Sequence, residues 1–129
     1  MAFILVVDDD AMLRTTLRSI LERAGHEVAE AADGKLGLAS YRARRPDLVL
    51  IDMVMPNREG AETIVDLRAD GGNVPIIAMS GGGFDGGDLY LTIASGVGAD
   101  EVLKKPIRAE DLLQTVDACL ARDAGRAAV

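Results

Sequence analysis

Five short runs, most of them unbroken aliphatic, limit what this chain can become. They are Phe3–Val7, a weaker one at Glu27–Glu30, Leu48–Ile51, Val74–Met79 and Glu101–Leu103. A strand with one wet face alternates apolar and polar residues; a strand covered on both faces does not. The stretches between the runs carry a different period. Leu13, Leu17, Ile20, Leu21 and Ala24 recur at helical spacing, and Gly25 is placed to end that helix. Asp33 is placed as the N-cap of a second helix, with Pro46 beyond its end. Ala61, Ile64, Val65 and Arg68 mark a third, closed by Gly71 and Gly72. A fourth is expected over about 87–97, and Leu112, Leu113, Val116, Cys119 and Leu120 mark the last.

Strand and helix alternating five times predict an α/β fold: one parallel sheet with helices on both faces. No internal repeat or linker interrupts the pattern, so residues 1–129 are expected to form a single domain, with 122–129 as a frayed tail. Half the residues are apolar, enough for a core at this length, but two Phe, two Tyr and no Trp leave aliphatic side chains to fill it. The net charge of −7 argues against nucleic acid and against an anionic membrane surface as partners. Cys119 is the single cysteine, so no internal disulfide forms. The N-terminal run lacks a basic flank and signal-peptide length, and no run reaches membrane-spanning length. A cytoplasmic protein is expected.

In an open parallel sheet, ligands bind beyond the C-terminal ends of the strands. The first run ends in Asp8, Asp9 and Asp10, the third in Asp52, the fourth in Ser80, and the fifth in Lys104, Lys105 and Pro106. If the first and third strands are neighbours, Asp8, Asp9 and Asp52 converge. Asp52 sits between Leu48–Ile51 and a further apolar stretch, where a carboxylate is costly unless something holds it. Clustered carboxylates must take up a proton or a hard divalent cation, and Mg²⁺ suits a site of one or two carboxylates with waters and a phosphate oxygen. Asp52 then reads as a carboxylate nucleophile aimed at phosphorus, with the lysine neutralising charge on the transferring group and Ser80 adding a donor.

LVVDDD, LVLIDMVMP, IIAMSG and LKKP, in this order and spacing, resemble the receiver domain of bacterial two-component response regulators of the stand-alone, single-domain type. The resemblance covers nearly the whole chain. It implies a flavodoxin-like (βα)5 fold with strand order 2-1-3-4-5. It implies that Asp52 is phosphorylated by a histidine kinase or phosphotransfer protein, and that Asp8, Asp9, Asp52 and the backbone carbonyl of Val54 hold Mg²⁺. Ser80 and Lys105 correspond to the switch hydroxyl and the lysine that meet the phosphoryl group. Met53 and Gly81 fall on the loops expected to contact it. Val102 and Pro106 belong to the switch region, and the Lys-Pro bond is usually cis in this family. A separate effector protein is expected to read the face formed by the fourth helix, fifth strand and fifth helix. The chain departs from the family in having Val102 where Tyr or Phe is usual, Ile107 where Phe is common, and a glycine-rich loop, SGGGFDGGD, in which Phe84 or the nearby Tyr90 is a candidate to replace the aromatic.

Other chemistries fit these residues less well. A phosphatase of the haloacid-dehalogenase type also uses an aspartate nucleophile, but needs a second Asp where Val54 stands. A receiver-like module that is never phosphorylated would be expected to lose an acid or the lysine, and this chain keeps them all. Gly81, Gly83 and Gly86 satisfy G-x-G-x-x-G, yet follow the fourth strand rather than the first and enclose Asp85, which does not suit a dinucleotide. Asp10 reads as a helix cap, His26 as an edge residue, Cys119 as a small apolar residue, and Arg42, Arg44 and Arg45 as a solvated helix end.

Overall fold

The computed structural model describes residues 1–53, 60–81 and 96–127, the last four of them through their backbone. Its elements are β1 (Phe3–Val7), α1 (Ala11–Arg23), β2 (Glu27–Ala31), α2 (Gly34–Ala43), β3 (Leu48–Asp52), α3 (Gly60–Ala69), β4 (Ile76–Ser80), β5 (Glu101–Lys104) and α4 (Ala109–Ala127). All strand pairs are parallel, and the order is β2-β1-β3-β4-β5, as expected. The fourth helix of the sequence reading lies outside the described residues except for Gly96 and Val97, which are helical.

Side chains alternate across the pleat, so each unbroken aliphatic run feeds two cores. Ile4, Val6, Leu48, Leu50, Ile77 and Met79 pack on one face against Leu17 and Leu21 of α1 and Leu112, Val116 and Cys119 of α4. Leu5, Val7, Val49, Ile51, Ile76 and Ala78 pack on the other against Tyr41 of α2 and Ile64 and Leu67 of α3. At about 25 cal/mol per Å² of apolar surface, burial on both faces is what selects a parallel sheet for runs of this kind.

Caps close the helices where the sequence places them. Asp10 accepts from the N–H groups of Met12 and Leu13, and Asp33 from that of Leu36. Gly25 and Gly71 have φ of +95° and +82°, which a Cβ would resist. His26 stands at the start of β2, its Nδ1 accepting from the Ala2 N–H at 3.1 Å.

Three expectations change. β4 begins at Ile76 rather than Val74, because Pro75 has no N–H to give the ladder, although its carbonyl accepts from Val49. The buried stripe of α3 is Gly60, Thr63, Ile64 and Leu67, leaving Val65 48% exposed. α4 continues to Ala127, past the start of the expected frayed tail, through a stretch rich in the strong helix formers Ala and Arg.

Arg68 takes a structural role that its place in an apolar pattern hides. Its guanidinium donates to the carbonyls of Gly72, Val74 and Gly98 and to the Asp100 carboxylate, which also accepts from the Ile76 N–H. The N-terminal ends of β4 and β5 are thereby tied to α3. Arg68→Ala leaves several half-buried acceptors without a donor and is expected to cost about 2–3 kcal/mol in urea unfolding. Arg68→Lys should recover less than half of that, and a lysine variant as stable as wild type would show that the fork adds nothing.

Candidate functional site

The register of β1 on β3 pairs Val6 with Leu50 and Val7 with Ile51. One rung further, Asp8 falls opposite Asp52. Both continue the parity of Val6 and Leu50, so both project over the core layer covered by α1 and α4. Asp8 is wholly buried and Asp52 is 4% exposed, while Asp9, one residue on and of opposite parity, is exposed. One carboxylate oxygen from each of the three lies within 4.8 Å of the others. At that separation like charges repel by about 3–4 kcal/mol per pair at an effective dielectric near 20.

Lys105 offsets part of this. Its Nζ donates to Asp8 Oδ2 at 3.0 Å and Asp52 Oδ2 at 3.2 Å. Burial pulls the ammonium's pKa down, but the hydrogen bond to Asp8 and the charges of Asp52 and Asp8 outweigh it and hold the group above the ordinary lysine value. The Lys105–Pro106 peptide is cis.

Every polar group of Asp8 is engaged. Its N–H donates to the Ala31 carbonyl, Oδ1 accepts from the Asp10 N–H, Oδ2 accepts from Lys105, and its carbonyl accepts from Arg14 Nη1 at 2.6 Å. Three oxygen donors around one point, one of them exposed, match a hard cation that keeps several waters.

Ser80 ends β4 beside this group and is fully buried. Its hydroxyl donates to the Gly81 carbonyl at 3.3 Å, and its own carbonyl accepts from the Lys105 N–H at 2.7 Å. Gly81 is exposed and open on the side where a Cβ would stand. Met53 does not present itself as expected. Its N–H extends the β3–β4 ladder by donating to the Met79 carbonyl at 3.0 Å, and its side chain is buried under α3. Val54, Phe84, Asp85 and Tyr90, and with them the glycine-rich loop after Gly81, lie outside the described residues. Val102 is half-buried against the core on the α2 and α3 side. With Lys104, Ile107 and Arg108 it lines a cavity of about 300 Å³ between β5 and α4.

Two residues of the site were missed. Arg14 lies six positions after Asp8; the signal was Glu30, an acid within β2, which is its partner at 3.1 Å. Gly60 opens α3 directly against β3: a Cβ there would collide with the Asp52 carbonyl and lie 2.7 Å from Met53 Cα. Its φ is ordinary, so nothing local in the sequence marks it.

Residues 4–117 match the family model of the response regulator receiver domain. The chain is 40% identical over 120 residues to the DNA-binding response regulator MtrA of Mycobacterium tuberculosis, covering 93% of this chain and 51% of that protein. It is 34% identical over 122 residues to the transcriptional regulatory protein AfsQ1 of Streptomyces coelicolor, covering 95% and 52%. It thus spans about half the length of these relatives. Among solved structures, chemotaxis protein CheY4 of Vibrio cholerae superposes with a TM-score of 0.83 at 31% identity, covering 92% of this chain and 98% of that one. The receiver domain of NtrX from Brucella abortus does so with 0.85 at 28%, covering 92% and 98%.

Gly60→Ala is expected to displace the backbone of Asp52 and cost about 1–3 kcal/mol in equilibrium unfolding, as overpacking does. Gly81→Ala, with open space around the added methyl, should stay within about 0.5 kcal/mol of wild type. Equal costs for the two would show that the α3–β3 approach is slack.

Proposed function

The chain belongs to the response regulator receiver domain family, a phosphoacceptor signalling switch, and on that footing we propose that Asp52 is the phosphorylated residue. The observation carrying this is a nearly buried carboxylate at a strand end, crowded by Asp8 and Asp9 and held by Lys105 at 3.2 Å. A histidine kinase or phosphotransfer protein presents a phosphohistidine. An oxygen of Asp52 attacks phosphorus, the P–N bond breaks, and the imidazole leaves with its electron pair. Asp8, Asp9 and Asp52 would hold Mg²⁺, which when bound neutralises charge on the transferring phosphoryl oxygens.

Lys105 contributes a second positive charge. Once Asp52 is an acyl phosphate, its ammonium keeps Asp8 and exchanges the Asp52 oxygen for a phosphoryl oxygen. The Ser80 hydroxyl leaves the Gly81 carbonyl and turns to the same group. These two changes occur at the ends of neighbouring strands, since Ser80 pairs with Lys104. They bias an equilibrium between conformations that a downstream effector reads. The reading surface includes β5 and α4, where the cavity at Val102 lies. On this reading the chain catalyses changes to its own phosphorylation and turns over no separate substrate.

The mycobacterial relative is named as DNA-binding, which runs against the sequence expectation of no nucleic acid partner. That name describes a protein about twice as long, and we keep nucleic acid out of the direct partners proposed for these 129 residues, whose net charge is −7. Among the described residues no helix is long and apolar enough to cross a membrane, and we propose a cytoplasmic setting, where such kinases deliver phosphate.

Asp52→Asn keeps the shape of the side chain and one acceptor oxygen while removing the nucleophile. It is expected to fold like wild type by circular dichroism and to lose Mg²⁺-dependent labelling by acetyl phosphate, seen as loss of the added phosphoryl mass. Labelling that persists in the variant would refute the site.

A further inference from the structure

We infer that Arg14 is a positioning residue for the cation site, acting through the backbone of Asp8; this rests on the function proposed above. Arg14 donates from Nη1 to the Asp8 carbonyl at 2.6 Å and from Nε to Glu30 Oε1 at 3.1 Å. One planar guanidinium therefore bridges the turn after β1 to the neighbouring strand β2. Glu30 is in turn held from its other oxygen by Arg18 Nη1 at 2.9 Å, and Arg18 is fixed on its own helix by Glu22 at 3.2 Å. The chain of charges runs from the exposed side of α1 to the carbonyl of a wholly buried carboxylate residue.

The mechanical reason is specific to Asp8. Its side chain is already held from two directions, by the Asp10 N–H and by Lys105. Its N–H is tied to β2 through Ala31. The carbonyl is the remaining handle, and Arg14 holds it. Rotation of the peptide between Asp8 and Asp9 would change the direction of Asp9, the exposed member of the three acids. Arg14 fixes that peptide and with it the position from which Asp9 meets the ion. Groups that orient metal ligands from behind typically control affinity by about ten- to a hundredfold.

Charge alone predicts the opposite sign. Removing a cation near three carboxylates strengthens their attraction for Mg²⁺, whereas removing a positioning group weakens it. Arg14→Ala is therefore expected to raise the Mg²⁺ Kd of the unphosphorylated protein about tenfold by titration calorimetry. Arg14→Lys, which keeps the charge and loses the two-way bridge, should also bind more weakly than wild type. A Kd unchanged or lowered in a folded variant overturns the inference; should the alanine variant fail to fold by circular dichroism, the lysine variant decides.

A second readout needs no ion. In metal-free protein the Asp10 amide, bonded to Asp8 Oδ1 at 2.9 Å, should exchange with solvent at least several-fold faster in both variants, while amides of α4 stay as in wild type. Uniform acceleration across the chain would mark a merely structural role and overturn the inference. A wild type that takes no Mg²⁺ sinks the function proposed above, and amide exchange still decides the role of Arg14.

Discussion

The parallel pairing of β1 with β3, in a register that sets Asp8 opposite Asp52, is the constraint from which the site follows. Both strands are aliphatic through their length and covered on both faces, so a one-residue slip would exchange the contents of the two cores. The hydrophobic layers therefore fix the register, and the register leaves two carboxylates side by side at the C-terminal end of the sheet. The repulsion there is imposed by burial elsewhere, and the acids cannot relieve it by moving apart.

The surroundings keep that strain local. Lys105 reaches both buried acids from beyond β5, and the end of β5 is tied to β4 by the bond from its N–H to Ser80. At the opposite end of the same two strands, Arg68 ties β4 and β5 to α3. Gly60 lets α3 approach so closely that the Asp52 carbonyl has no room to retreat. Packing, hydrogen bonds and charge each hold a different atom of the same small group.

The fold was legible because its signals are periodic. Aliphatic runs and helical spacing declare themselves locally, and Asp10, Asp33, Gly25 and Gly71 punctuate them by backbone chemistry that needs no tertiary context. The positions of Asp8, Asp9, Asp52 and Lys105 were legible because they end such runs. What the sequence hid depends on distance across the fold. Gly60 is required by a neighbour seven residues away that only the α3 crossing brings close. Arg14 needs Glu30 from an edge strand to show why it is held, and Arg68 reads as a member of an apolar stripe until its four acceptors are seen. Met53 also depends on the fold: the ladder runs one residue past the strand and claims its amide.

The unequal exposure of the three acids has a consequence for traffic. Asp8 is sealed and Asp52 nearly so, while Asp9 is the exposed member of the three, beside a half-buried Lys105. On the function proposed above, a small cation and a bulky anionic donor would both meet these carboxylates at the mouth where Asp9 faces solvent. An empty mouth lined by carboxylates repels a phosphate-bearing visitor, while a mouth already holding a dication welcomes it, so order of arrival becomes a property of the architecture rather than of either visitor.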